Sequence, residues 1–176
     1  MTNMISLRSN ISGDSFNQLL DLCFDLSTFF SFTERSLNRQ DKVYKKFLED
    51  LAPSYIHTLF TLHWFCYYVP QSTQLEVNLF NTDKNMKQII KKYLDNLFQQ
   101  ERGIDGTWGN IMNLPEDICF FLGHKLLLGT VSHEDICYVY PPTKEIANQF
   151  IKLGNWEEAI YLPDEHIRLD ILGISK

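Results

Sequence analysis

The side chains best suited to chemistry are five histidines, at positions 57, 63, 124, 133 and 166, and the carboxylates near them. A zinc-type site draws its ligands from spacings such as H-x-x-x-H or H-E-x-x-H, because residues four apart share one helix face. None of the five has that spacing, and no metal or cofactor is expected. His57 and His63 read instead as hydrogen-bonded residues of an aromatic helix. Acid-base chemistry would need an imidazole and a carboxylate in one cleft. Asp117 with His124, seven residues apart, and the triplet Asp164, Glu165 and His166 are the two candidates. Glu116, Asp117, Asp164 and Glu165 each follow a proline at an expected helix start, where an acidic residue serves the positive end of the dipole. That role accounts for them without catalysis. Gly103, Gly106 and Gly109 in GIDGTWGN suggest a phosphate loop, but no Lys-Ser or Lys-Thr follows, and G-x-S-x-G is missing too. No catalytic residue is assigned, and the chain is expected not to be an enzyme.

Charge supplies the stronger signal. The net charge is -6, and its distribution is uneven: residues 1–100 hold ten acidic and ten basic side chains, residues 101–176 twelve and six. An anionic C-terminal face would attract a cationic protein and repel nucleic acid. Its expected members are Glu134, Asp135, Glu145, Glu157, Glu158, Asp164, Glu165 and Asp170. Two basic stripes, Arg35/Arg39/Lys42/Lys46 and Lys84/Lys87/Lys91/Lys92, offer the alternative of a nucleic-acid-associated or regulatory helical protein. They lack interleaved aromatic residues and read as solvated helix faces.

The elements that must position these groups read as helical. With 176 residues the chain fits one domain, a neutral helical half over 1–100 and an acidic half over 101–176. Leucine outnumbers valine 23 to 5, which favours helix. Helices are expected over 14–32, 34–51, 53–69, 82–100, 115–128, 133–140 and 143–153, with another at NWEEAIYL and one opened by Pro163. QLEVNLF alternates and allows one short strand. The expected fold is a mainly α, irregular single-domain helical bundle. The alternative is α+β, with a short hairpin around residues 125–142 that could offer a strand to a partner.

Cys23, Cys66, Cys119 and Cys137 sit beside large apolar residues without a C-x-x-C pair, which suits buried thiols in a reducing compartment. The N-terminus lacks a secretory pattern, and the most apolar run, 55–69, is shorter than the roughly 20 residues of a spanning helix. A cytoplasmic protein without membrane attachment is expected.

The stretch KLGNWEEAI resembles, at Gly154, Asn155 and Ala159, the turn between the two helices of a tetratricopeptide repeat, and with no copy 34 residues away it reads as an isolated helix-turn-helix. In size, acidity, aromatic richness and Lys/Asn/Ile/Phe-rich composition, the chain resembles bacterial immunity proteins that protect a cell from contact-dependent or polymorphic toxins. The resemblance implies a basic protein partner, such as a toxin or nuclease domain, neutralised through the acidic face.

Overall fold

The computed structural model describes residues 3–34, 40–72, 74–102, 104, 108–110, 113–160 and 167–169. In chain order the strands are β1 (Met4–Leu7), β2 (Phe29–Glu34), β3 (Tyr55–Thr61), β4 (His63–Trp64), β5 (Tyr67–Tyr68), β6 (Leu75–Asn81), β7 (Gln100–Arg102), β8 (Trp108–Asn110), β9 (Glu116–Leu122), β10 (Lys125–Val131), β11 (Ile136–Val139) and β12 (Trp156–Ala159). The helices are α1 (Gly13–Leu26), α2 (Lys42–Leu51), α3 (Lys84–Tyr93) and α4 (Lys144–Ile151). Eight strands form one sheet in the order β12-β1-β11-β10-β9-β2-β6-β3, each neighbouring pair antiparallel. Strands β4 with β5 and β7 with β8 make two small hairpins.

The expected mainly α bundle is therefore wrong, and the protein is an α+β structure organised by an antiparallel sheet. The cause lies in two-sided burial. Alternate residues of a strand face opposite ways. Along the central strands, Phe30, Phe32, Phe80, Ile118 and Phe120 join the helices, while Phe29, Val77, Leu79, Cys119 and Phe121 meet a second apolar layer. A strand covered on both faces is apolar at consecutive positions, so its alternation disappears from the sequence.

The helix layer contributes Phe16, Leu20 and Cys23 of α1, Phe47 and Leu51 of α2, Met86 and Ile90 of α3, and Phe150 of α4. The opposite layer is built by Trp64, Phe65 and Leu169. Phe30 stacks on Phe80 with ring centroids 5.1 Å apart, and Phe120 meets Phe24 edge to face at 5.3 Å. Such pairs add to plain area burial.

Four expected helices are strands instead. Pro53 opens only the short turn Ala52–Ser54, after which the chain extends through β3 to β5. The run 115–128 is β9 and most of β10, folded back at Gly123, whose φ of +58° favours glycine. The expected helix over 133–140 gives only the turn Ser132–Glu134 before β11, which pairs with β10 as the alternative hairpin had it. That hairpin lies inside the sheet, whose edges are β12 and β3. The helix expected at NWEEAIYL is, over Trp156–Ala159, likewise strand β12, paired with β1, so the helix-turn-helix expected around KLGNWEEAI does not form after α4. The amphipathic readings that did form helices are α1, α2, α3 and α4, each over a shorter span. Of the helix expected after Pro163, over 164–172, only 167–169 lie within the described residues, where Arg168 bridges to Lys125.

Helix α3 is capped by Asp83, one residue inside the helix expected from position 82, where Thr82 has the residue type of a cap. Its carboxylate accepts the Met86 backbone N–H at 2.9 Å and the Ser54 hydroxyl at 2.7 Å. Partial burial raises the Asp83 pKa, but these hydrogen bonds to the ionised form outweigh it and leave the pKa below its ordinary value. Its contribution is present above about pH 4, where the unfolded carboxyl ionises, and is lost as pH falls through the lower folded value. Asp83→Ala is expected to cost about 1–3 kcal/mol at neutral pH. In urea unfolding curves, the gap between variant and parent should narrow as the pH drops below about 4; a gap independent of pH would contradict the capping role.

Candidate functional site: an acidic row across one end of the sheet

Strand register assembles the carboxylates that local sequence leaves apart. Glu116, the first residue of β9, lies opposite Thr33 of β2. The next residue of β2, Glu34, lies opposite Glu76 of β6, and Glu76 lies opposite Phe60 of β3. The turn from β10 to β11 adds Glu134 and Asp135 on the other side of Glu116. There His133 places Nδ1 3.4 Å from Glu116 and Nε2 3.8 Å from Glu134. This acidic row therefore runs from the β10–β11 turn to β6, three strand spacings or about 14 Å, and passes from one face of the sheet to the other: Glu116 shares the face of Thr33, whereas Glu34 and Glu76 lie on the opposite one.

The turn end of this row is rigidly built. Asp117 is fully buried, and its side chain accepts the Ser132 backbone N–H at 2.7 Å while its own N–H donates to the Ser132 hydroxyl at 3.1 Å. Gln99, 2 % exposed, accepts from that hydroxyl at 3.4 Å and donates to the Pro115 carbonyl at 2.6 Å. Gln100 donates to Asp135 and accepts from Asn10, which also donates to Asn96. Among the described residues, four non-glycine positions have left-handed φ: Phe65, Gln99, Asp117 and Asp135. Three of them belong to this one hydrogen-bonded node, a clustering typical of functional segments.

Donor atoms of Glu116, Asp117 and His133 lie within 4.8 Å of one another, a set that could hold a divalent ion. In the structure Asp117 braces Ser132 and Glu116 meets His133, which gives both carboxylates roles within the protein. Cys119, fully buried, is pushed up to about 12 by that burial, so it stays a neutral thiol.

The structure scatters the expected acidic face. Glu134 and Asp135 join the row. Glu145 lies in the first turn of α4. Glu157 and Glu158 are consecutive on β12 and emerge on opposite sides of the sheet; Glu157 accepts from Ser6 and pairs with Arg8. Asp164, Glu165 and Asp170 lie outside the described residues. Asp117 and His124 stand at opposite ends of the β9 stretch and do not form a pair, while His166 also lies outside. Glu116 and Asp117 serve no helix dipole, since they begin a strand. Sequence reasoning missed Glu34 and Glu76 in the row, which no local spacing relates to Glu116.

The second basic stripe is partly used within the fold. Lys87 and Lys91 hold Asp21 of α1 at 3.0 and 2.7 Å, and the Lys91 ammonium keeps that carboxyl below its ordinary range. Lys46 of the first stripe and Lys92 of the second converge on Asp50. Arg35 and Arg39 lie outside the described residues. Among the described residues, no helix is long and apolar enough to cross a membrane. Comparison with known proteins finds no match to a family model, a curated protein or a solved structure.

The Asp117 node separates hydrogen bonding from charge. Asn keeps an acceptor and tolerates left-handed φ, whereas Ala loses both. Asp117→Ala is expected to cost about 2–4 kcal/mol and Asp117→Asn about 1 kcal/mol, read from urea unfolding. Equal losses would show that the charge, not the brace, is what the node requires.

Proposed function

We propose that the protein is a protein-binding module of the inhibitor or immunity class, which neutralises a cationic partner such as a toxin nuclease by engaging it through the acidic end of the sheet. The observation that carries this reading is the gathering of carboxylates at one end of the sheet, with Glu34 and Glu76 opposed on one face and Glu116, Glu134 and Asp135 grouped about the β10–β11 turn. A rigid acidic surface suits recognition of a basic protein, because complementary charge speeds encounter and fixes orientation. The hydrogen-bonded node supports it further, since little ordering entropy remains to be lost on binding. The nucleic-acid alternative gains less support, because Lys46, Lys87, Lys91 and Lys92 all have carboxylate neighbours.

The test compares the tagged chain with a Glu101→Lys, Glu134→Lys variant; both positions are exposed, and Glu101 follows Gln100 of β7, whose side chain bonds Asp135. Each is incubated with lysate of the source cell, with and without nuclease treatment. The parent should retain one basic protein whose activity it suppresses, and the variant should bind at least about tenfold more weakly. Retention of nuclease-sensitive nucleic acid instead, unaffected or enhanced by the lysines, would overturn the reading.

A further inference from the structure

Glu34 and Glu76 line a cavity on one face of the sheet, and that cavity lies beside an edge strand of unusual composition. The cavity has a volume of about 320 Å³ and is lined by Glu34, Tyr44, Tyr55, Glu76, Asn78 and Phe80 among others. Glu34 is only 8 % exposed and accepts from the Asn78 amide at 2.7 Å. Asn78 in turn accepts from Thr58, whose hydroxyl bonds to that of Tyr55. Glu34 and Glu76 are directly opposed across β2 and β6.

We propose that this cavity receives an arginine side chain carried by an extended segment of a partner protein, which pairs with β3 as an added strand. The proposal rests on the reading of the chain as a binder of cationic proteins and names one contact within it. Opposed carboxylates present acceptors that match the fork of a guanidinium. The rings of Tyr44, Tyr55 and Phe80 offer faces to a weakly hydrated planar cation. An apolar occupant would add to the desolvation of the carboxylates, and an anionic one would be repelled.

The edge supplies the backbone half of the contact. Its opposite, β12, carries Glu157 and Glu158, charges of the kind that discourage strand pairing. Strand β3, YIHTLFT, has no charged residue, and Phe60 is 64 % exposed. The register irregularity between Tyr55 and His57 leaves His57–Thr61 as its regular part. Thr58 and Phe60 share a face with Asn78 and Glu76, so alternate side chains of an added strand would project on the cavity side. Such a strand would lie two strand spacings, or about 10 Å, from β6, a distance that the extended side chains of arginine and Glu76 span together over β3.

The experiment uses the full isotope-labelled chain and a capped peptide of alternating threonine and valine with one central arginine. Two controls replace arginine by its neutral isostere citrulline, or N-methylate every residue of the peptide so that neither edge keeps an N–H donor. The arginine peptide should shift the amide resonances of His57–Thr61 and the Asn78 side-chain amide. Citrulline, N-methylation and Glu76→Gln should each weaken it by about tenfold or more. Equal affinity of the citrulline peptide, shifts confined to other strands, or no shift at about 1 mM peptide would overturn the proposal. The citrulline comparison is made on the parent chain, so it stands even where Glu76→Gln disturbs folding. A partner that ignores Glu76→Gln but is lost with Glu101→Lys, Glu134→Lys would refute the cavity contact and leave the broader function standing.

Discussion

The structure depends on two-sided burial of the central strands β9, β2 and β6. Their side chains alternate between the four helices and the layer built from Trp64, Phe65 and Leu169, which fixes both the register and the order of the strands. A slip of one residue would turn every side chain to the opposite face. Each large side chain removed from water contributes about 1.5–3 kcal/mol, so the penalty for such a slip across three strands is large. The same register that packs Phe30, Phe80 and Phe120 also brings Glu34, Glu76 and Glu116 to one end of the sheet.

That link explains why local structure was more legible than architecture. Helices α1, α3 and α4 show their apolar residues at three- and four-residue intervals because one face is wet, and Thr143 caps α4 as its position suggests. Strands β9 and β10 show no alternation because Ile118, Cys119, Phe120 and Phe121 are all buried. Their proline, acidic residues and glycine then imitate helix punctuation. Pro115 instead offers its carbonyl to Gln99, and Gly123 turns a hairpin. The β-branched and aromatic content of YIHTLFT and ICYVY was the local signal for strands. The leucine-rich composition of the whole chain obscured it.

The acidic site was legible only at its turn end. Glu134 and Asp135 belong to the charge-rich C-terminal half, whereas Glu34 and Glu76 lie in the half whose charges balance. Only pairing between distant strands reveals their relation to Glu116. The node beside them carries left-handed backbone at Gln99, Asp117 and Asp135, costing about 1–3 kcal/mol apiece. Reciprocal bonds between Asp117 and Ser132, together with those of Gln99 and Gln100, offset that cost. The result is a surface whose shape is set by bonds within the chain.

Nuclear Overhauser contacts across the central strands test this account most directly. The account predicts cross-strand backbone contacts between Glu34 and Glu76 and between Thr33 and Glu116, together with strand-type contacts through residues 116–131. Helical contacts between residues three apart through that stretch, with neither cross-strand pair observed, would contradict both the sheet and the acidic row built on it.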